Sequence, residues 1–227
     1  MIPLKDDIAS YTKPVVSYTI LGLNILVYGY EFLLGPEKDA FIFQFGTIPY
    51  ELFNPQGISS YLTIFSSMFT HANFMHLAGN MLFLWVFADN VEDLMGHFKF
   101  LLFYLLCGIA AVFLHSITNP DSRIPMVGAS GAISGVMGAY LVFFPQARIL
   151  SLIPLGFFLR IAYLPSLFFI GIWFLYQFFL GFASLGVKGG GVAYFAHVGG
   201  FIAGLLLAFL FKKRAKRKFS DFDYDIF

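Results

Sequence analysis

Gly128-Ala129-Ser130-Gly131-Ala132-Ile133-Ser134-Gly135-Val136-Met137-Gly138-Ala139-Tyr140-Leu141-Val142-Phe143-Phe144 is an uncharged, glycine-rich apolar run with a serine among small residues at its mouth. Its hydropathy and small residues read as a short helix that enters a membrane. A serine at the start of such a helix is open to approach and can act as a nucleophile. Farther along, Ala196-His197-Val198-Gly199-Gly200 opens another apolar run. If the two helices touch, Ser130 and His197 form a catalytic pair inside a bilayer.

The whole chain fits that setting. Of its 227 residues, 59% are hydrophobic, 20% aromatic and 12% charged, with a mean hydropathy of +0.78. A soluble domain carries about twice that share of charge. The composition therefore reads as an integral membrane protein solvated by lipid. The net charge of +1 argues for no particular partner, and nothing points to nucleic acid. Cys107 is the only cysteine and lies in an apolar run, which excludes an intrachain disulfide and the cysteine spacing of zinc or redox motifs. Residues 1–13 are short and polar, without the pattern of a cleaved signal peptide.

Six candidate spans appear, at about 15–34, 74–88, 98–116, 130–144, 161–180 and 195–211. The expected fold is all-α: a six-transmembrane-helix bundle with a long, apolar first loop over 35–73 lying in the membrane interface. The expected organisation is a cytoplasmic N-terminus at 1–14, a six-helix membrane domain at 15–211, and a tail at 212–227 that is basic and then acidic. An even number of spans puts both termini on one side. The run Lys212-Lys213-Arg214-Ala215-Lys216-Arg217-Lys218 makes that side cytoplasmic. Lys5, Lys13, Lys99, Arg148 and Arg160 fall on the same side, against Lys38, Arg123 and Lys188 on the other. The glycines at 181, 186, 189, 190 and 191 predict a mobile segment.

Polar groups inside spans are costly and usually functional. His76, Asn80, Ser130, Ser134 and His197 stand out, with His115 and Ser116 closing the third span. The second, fourth and sixth spans run in the same direction, and His76, Ser130 and His197 each lie within about a turn of a span's start. At about 1.5 Å per residue they share one shallow layer. His76 and Asn80, four apart, share a helix face. Ser130, Ser134 and Gly138 form a small-residue stripe; His197, Gly200, Gly204 and Ala208 form another, with a Gly-x-x-x-Gly pair that lets backbones approach. Packing along these stripes would bring the serine hydroxyl to the histidine ring.

In that chemistry neutral His197 is the base for Ser130. An acid usually orients the histidine, but no Asp or Glu sits at that depth, and Asp121 lies in a loop. A Ser–His dyad is therefore expected. His76, the Asn80 amide and the Ser130 backbone N–H are candidate donors to the oxyanion of the tetrahedral intermediate. No metal or cofactor is called for.

The segments His71-x-x-x-x-His76-x-x-x-Asn80, Gly128-Ala129-Ser130-Gly131 and Ala196-His197-x-x-Gly200-x-x-x-Gly204, in this order on six spans, resemble the rhomboid intramembrane serine proteases. Glu92-x-x-x-Gly96 also looks like the family pattern. The resemblance covers nearly the whole chain. It implies a Ser130–His197 dyad, with His76 and Asn80 at the oxyanion. It also implies single-span membrane-protein substrates cut near the outer membrane face, small side chains at the cut, a lid over 181–191 and a gate at the fifth span. Two positions depart from the pattern. Tyr61-Leu62-Thr63 stands where some members have a Trp-Arg pair. Ser134 stands where some have a tyrosine on the histidine ring, so another aromatic would hold His197. His71 fits the motif either as a support of the first loop or as part of the catalysis. The compact form suggests a prokaryotic plasma membrane.

Other readings are weaker. A non-catalytic rhomboid-like protein that binds membrane clients would usually lack the serine or the histidine. A transporter would call for acidic residues at mid-depth or broken helices in paired repeats. A zinc protease would call for His-Glu-x-x-His, which is absent from the sequence.

Overall fold

Val15–Leu33 forms the first long helix, α1, and its start is capped from a distant part of the chain. The Val16 and Ser17 N–H groups and the Ser17 hydroxyl donate to the Glu92 carboxylate at 2.9, 2.7 and 2.6 Å. A carboxylate there meets both the unpaired N–H groups of the first turn and the positive end of the helix dipole. The computed structural model describes residues 1–156, 158–186 and 191–211. The basic run at 212–218, the rest of the tail, Lys188 and the centre of the 181–191 segment lie outside the described residues.

Short helices α2 (Lys38–Phe45), α3 (Pro49–Phe53) and α4 (Ser59–Ser66) occupy the long first loop. They are followed by α5 (Phe74–Met95), α6 (His97–Thr118), α7 (Ser130–Phe143), α8 (Ser166–Ala183) and α9 (Tyr194–Ala208). Gly96, at φ 83°, makes the sharp turn between α5 and α6 in a conformation that L side chains avoid. Among the described residues four stretches are long and apolar enough to cross a membrane: Val15–Leu33, His97–Thr118, Ser166–Ala183 and Tyr194–Phe211. The molecule is a mostly helical integral membrane protein. The α5 helix is long enough but carries Asp89, Glu92 and Asp93 in its last two turns. The α7 helix has 14 residues, about 21 Å of rise, and is buried along nearly its whole length.

Two expectations need correction. The fold is not all-α, because Ile2–Asp6 (β1), Arg148–Leu155 (β2) and Phe158–Pro165 (β3) form an antiparallel sheet in the order β1-β2-β3. Ile2 faces Leu152, and Arg148 faces Pro165. The expected fifth span therefore begins too early: residues 161–165 belong to β3, and α8 starts at Ser166. A short apolar run fits a strand or a helix equally well by periodicity. Here Gly156, at φ 62°, turns the hairpin, and Pro165 precedes the first helical residue.

The sheet sits at the C-terminal ends of α5 and α7. There Asp6 Oδ2 accepts from the Tyr140 hydroxyl at 2.6 Å and from Asn90 Nδ2 at 2.8 Å. The opposite ends of α5, α7 and α9 carry the polar residues singled out above.

Candidate active site

The site is built where α7 meets α9 with almost nothing between their backbones. A Cβ added at Gly200 would land on the Gly131 carbonyl oxygen, and one at Gly204 on the Gly135 carbonyl oxygen. A Cβ at Gly138 would run into the Phe201 carbonyl. The contact stripe of α7 is thus Gly131, Gly135 and Gly138. Ser134 does not belong to it. Its hydroxyl donates to the Ser130 carbonyl at 2.6 Å, which satisfies a buried polar group within its own helix.

At the open end of this contact, His197 Nε2 lies 2.8 Å from Ser130 Oγ. The other ring nitrogen, Nδ1, lies 2.8 Å from Gln177 Oε1 on α8. An amide oxygen only accepts, so Nδ1 carries the hydrogen and the Nε2 lone pair faces the serine hydroxyl. Trp173, one turn from Gln177, covers the ring with centroids 5.9 Å apart and planes at 34°. Among the described residues no carboxylate bonds His197, and Asp121 is exposed in the segment before α7.

Gln177 was absent from the residues singled out by sequence. Its signal was a lone amide in an otherwise apolar helix, Ser166–Ala183, where it is buried to 8% exposure. Trp173 supplies the aromatic that the missing tyrosine called for.

The stretch before Ser130 is tethered by the first loop. Thr47 and Met126 exchange backbone hydrogen bonds of 3.0 and 2.8 Å, and the Gly128 N–H donates to the Ser67 carbonyl at 2.8 Å. Gly128, at φ 115°, passes directly against the α5 pair. A Cβ there would lie 2.6 Å from His76 Nε2 and 3.3 Å from Asn80 Nδ2. Only glycine lets the serine segment approach these side chains so closely.

Asn80 is itself held. Its Nδ2 donates to His71 Nε2 at 2.9 Å, and His71 Nδ1 contacts the Phe69 carbonyl at 3.3 Å. The His71 N–H donates to Glu31 on α1 at 3.0 Å. Burial, with help from neighbouring His76, pulls His71 down to about 3, so the ring stays neutral and accepts from the amide. His71 therefore touches Asn80 rather than Ser130. Beside Ser130 a cavity of about 20 Å³, bordered by Ser67, Gly128 and Ala196, has room for one water-sized group. Among the described residues no cluster of histidine, cysteine or acidic groups could hold a metal.

A model of the rhomboid domain matches residues 59–214. The mitochondrial Rhomboid protein 1 of Saccharomyces cerevisiae is 30% identical over 207 residues, covering 88% of this chain and 54% of the yeast protein. The rhomboid protease GluP of Bacillus subtilis is 30% identical over 200 residues, 86% of this chain and 34% of GluP. The chloroplastic Rhomboid-like protein 11 of Arabidopsis thaliana is 29% identical over 159 residues, 65% of this chain and 51% of its own length. The chain thus spans about a third to a half of the length of these relatives. By their names and sources they come from a bacterium and two kinds of organelle, so they give a prokaryotic plasma membrane no preference. The family match covers α4 through α9, every element that carries the Ser130, His197, His76 and Asn80 arrangement, and the chain belongs to the rhomboid family.

Proposed function

We propose that this protein is an intramembrane serine endopeptidase that cuts single-span transmembrane substrates near the outer membrane face. The observation that carries the reading is the 2.8 Å contact between Ser130 Oγ and His197 Nε2 at the shared end of two membrane helices. In the reaction Ser130 Oγ attacks the scissile carbonyl while His197 Nε2 takes its proton. The ring, now charged, still donates from Nδ1 to Gln177. The new oxyanion accepts from the second Asn80 amide hydrogen, from His76 and from the Ser130 backbone N–H. Each such donor is worth about 3–4 kcal/mol of barrier. His197 then protonates the leaving amine, and a water, activated by the same ring, releases the acyl group from Ser130.

The membrane arrangement that fits is six spans, α1, α5, α6, α7, α8 and α9, as one domain over 15–211. The N-terminus (1–14) and the tail (212–227) are cytoplasmic, on the side of the basic residues. The short α7 is surrounded by other helices, so protein rather than lipid covers it. The small cavity beside Ser130 favours a substrate residue with a small side chain at the cut. The family resemblance assigns the lid to 181–191, whose residues 187–190 lie outside the described ones, and the gate to α8. Client binding without catalysis is the poorer reading, because both members of the dyad are present and in contact.

The test is cleavage of a single-span substrate by the purified protein in lipid, alongside Ser130→Ala and His197→Ala. Both variants should lose cleavage while keeping their thermal stability. A fluorophosphonate should label the wild type and not Ser130→Ala. Cleavage that survives either substitution would overturn the reading.

A further inference from the structure

At the end of the molecule away from Ser130, a cavity of about 320 Å³ opens between β1 and the facing ends of α1 and α5. That volume lies in the lower range of small-molecule sites. Its wall combines three kinds of chemistry. Asp6 and Asp89 supply carboxylates, Lys5 supplies an ammonium, and Tyr18 and Trp85 supply an aromatic edge. The two rings stack at 5.7 Å and 19°, and they are 51% and 58% exposed on the outside of the bundle. Tyr18 lies in the first turn of α1, at the level where amphipathic rings meet lipid headgroups.

Among the described residues the carboxylates of this cavity meet neutral donors only, the backbone N–H groups of Ile8 and Asn90 included. Asp6 accepts only from the Tyr140 hydroxyl and the Asn90 amide among the described side chains. Asp89 accepts from the Ser10 hydroxyl at 2.6 Å and from the Asn90 amide at 3.1 Å. The described ion pairs are Lys38 with Glu31 and His97 with Glu92, so among the described residues Lys5, Asp6 and Asp89 have none. Two partly desolvated carboxylates with neutral donors favour a cation, and the lysine beside them favours an anion. A ligand that satisfies both is a zwitterion with an apolar body lying outside along the aromatic edge.

We propose that this cavity binds the headgroup of an ethanolamine-type phospholipid from the leaflet at the sheet end, its primary ammonium on Asp6 and Asp89 and its phosphate on Lys5. A primary ammonium carries three N–H donors for the two carboxylates. A quaternary ammonium has none and would rely on an aromatic cage. Tyr18 and Trp85 close their faces against each other and form no such cage. An anionic headgroup without the ammonium would meet two carboxylates and one lysine. Burial pushes Asp6 up to about 6, a cost that an ammonium in the cavity would offset.

The test uses the full chain in nanodiscs with Trp173→Phe, so that Trp85 is the sole indole. Trp85 fluorescence is quenched with brominated lipids bearing ethanolamine, choline or glycerol headgroups at equal mole fraction. Apparent affinity for the ethanolamine lipid should exceed that for the choline lipid by about fivefold or more, as expected for one or two charge-assisted hydrogen bonds. Asp89→Asn and, separately, the exposed Lys5→Glu should each remove most of that preference. The second substitution leaves the buried network of Asp6 and Asn90 untouched, so it remains informative if Asp89→Asn loosens β1. Equal quenching by all three lipids would mean ordinary bilayer contact and overturn the proposal. So would a preference for the glycerol headgroup, or an ethanolamine preference that survives Lys5→Glu.

Discussion

Gln177 Oε1 and His197 Nδ1 lie 2.8 Å apart, on the side of the imidazole opposite Ser130. The amide holds the ring in the tautomer that presents a lone pair to the serine, and it does so without a buried negative charge. An ionised carboxylate at this depth would carry a large desolvation cost. Gln177→Leu should therefore lower kcat by about five- to tenfold, the worth of one neutral hydrogen bond, with KM little changed. Gln177→Glu should recover more activity than Gln177→Leu. Steady-state cleavage and the rate of fluorophosphonate labelling should fall together. Unchanged labelling by Gln177→Leu would show that the amide does not orient the histidine.

His71 reaches the proposed site only through its contact with Asn80 among the described hydrogen bonds. Asn80→Ala should reduce kcat by about 10²–10³-fold, as for loss of an oxyanion donor. His71→Phe should cost less, because the amide remains but is no longer aimed. The double substitution should be no worse than Asn80→Ala alone, since the two lie on one chain of contacts. A double-mutant cycle on kcat checks this, and additive losses would separate the two residues.

The α7–α9 contact has no room for a methyl group. In Gly200→Ala the new carbon would meet the Gly131 carbonyl, and in Gly204→Ala the Gly135 carbonyl. Backbone does not move aside as a flexible side chain does, so the helices must separate. Each substitution should destabilise by about 2 kcal/mol or more and weaken the contact between Ser130 and His197. Gly22→Ala on α1, where an added carbon meets nothing within 4 Å, is the control. Thermal unfolding in detergent and fluorophosphonate labelling read the two effects.

Asp6 ties β1 to α5 and α7, and its titration makes that tie dependent on pH. Burial raises it from 3.8 to about 6, with repulsion from Asp89 and Asp7 adding to the rise and the Tyr140 hydrogen bond opposing it. The folded state thus holds this proton more tightly than the unfolded state. The contribution to stability is fully present below about pH 4 and is lost as pH rises through about 6. Asp6→Asn should flatten this slope between pH 4 and 6 in detergent free of aminophospholipid. An identical slope in wild type and variant would assign it to other groups.

The sequence was most legible where chemistry contradicts the solvent. Ser130 and His197 stand in apolar runs where polar groups are costly, so both were visible without any neighbour. Gln177 breaks the same rule, but a single amide in a helix reads as tolerated packing until its partner, 20 residues on, is seen beside it. The role of His71 was open for a similar reason. Its motif spacing suits loop support and catalysis equally, and packing adds the contact with Asn80 Nδ2 that no spacing shows. The strands were hidden because an apolar run such as Ile161 to Pro165 carries no periodicity that distinguishes a strand at a bundle's end from the start of a span.

Read along the chain, the sequence marks a membrane-embedded, mostly helical protein, the candidate Ser130 and His197, the candidate pair on α5 and the glycines that let helices close. These follow from composition and from spacing along single helices, which are local properties of the chain. Only the packed helices show which face of α7 meets α9, that an amide rather than an acid contacts the histidine, that His71 bonds Asn80, and that β1 both completes the sheet and walls a charged cavity. Each of these depends on groups that are distant along the chain and meet only when the helices pack. No local pattern records such a meeting.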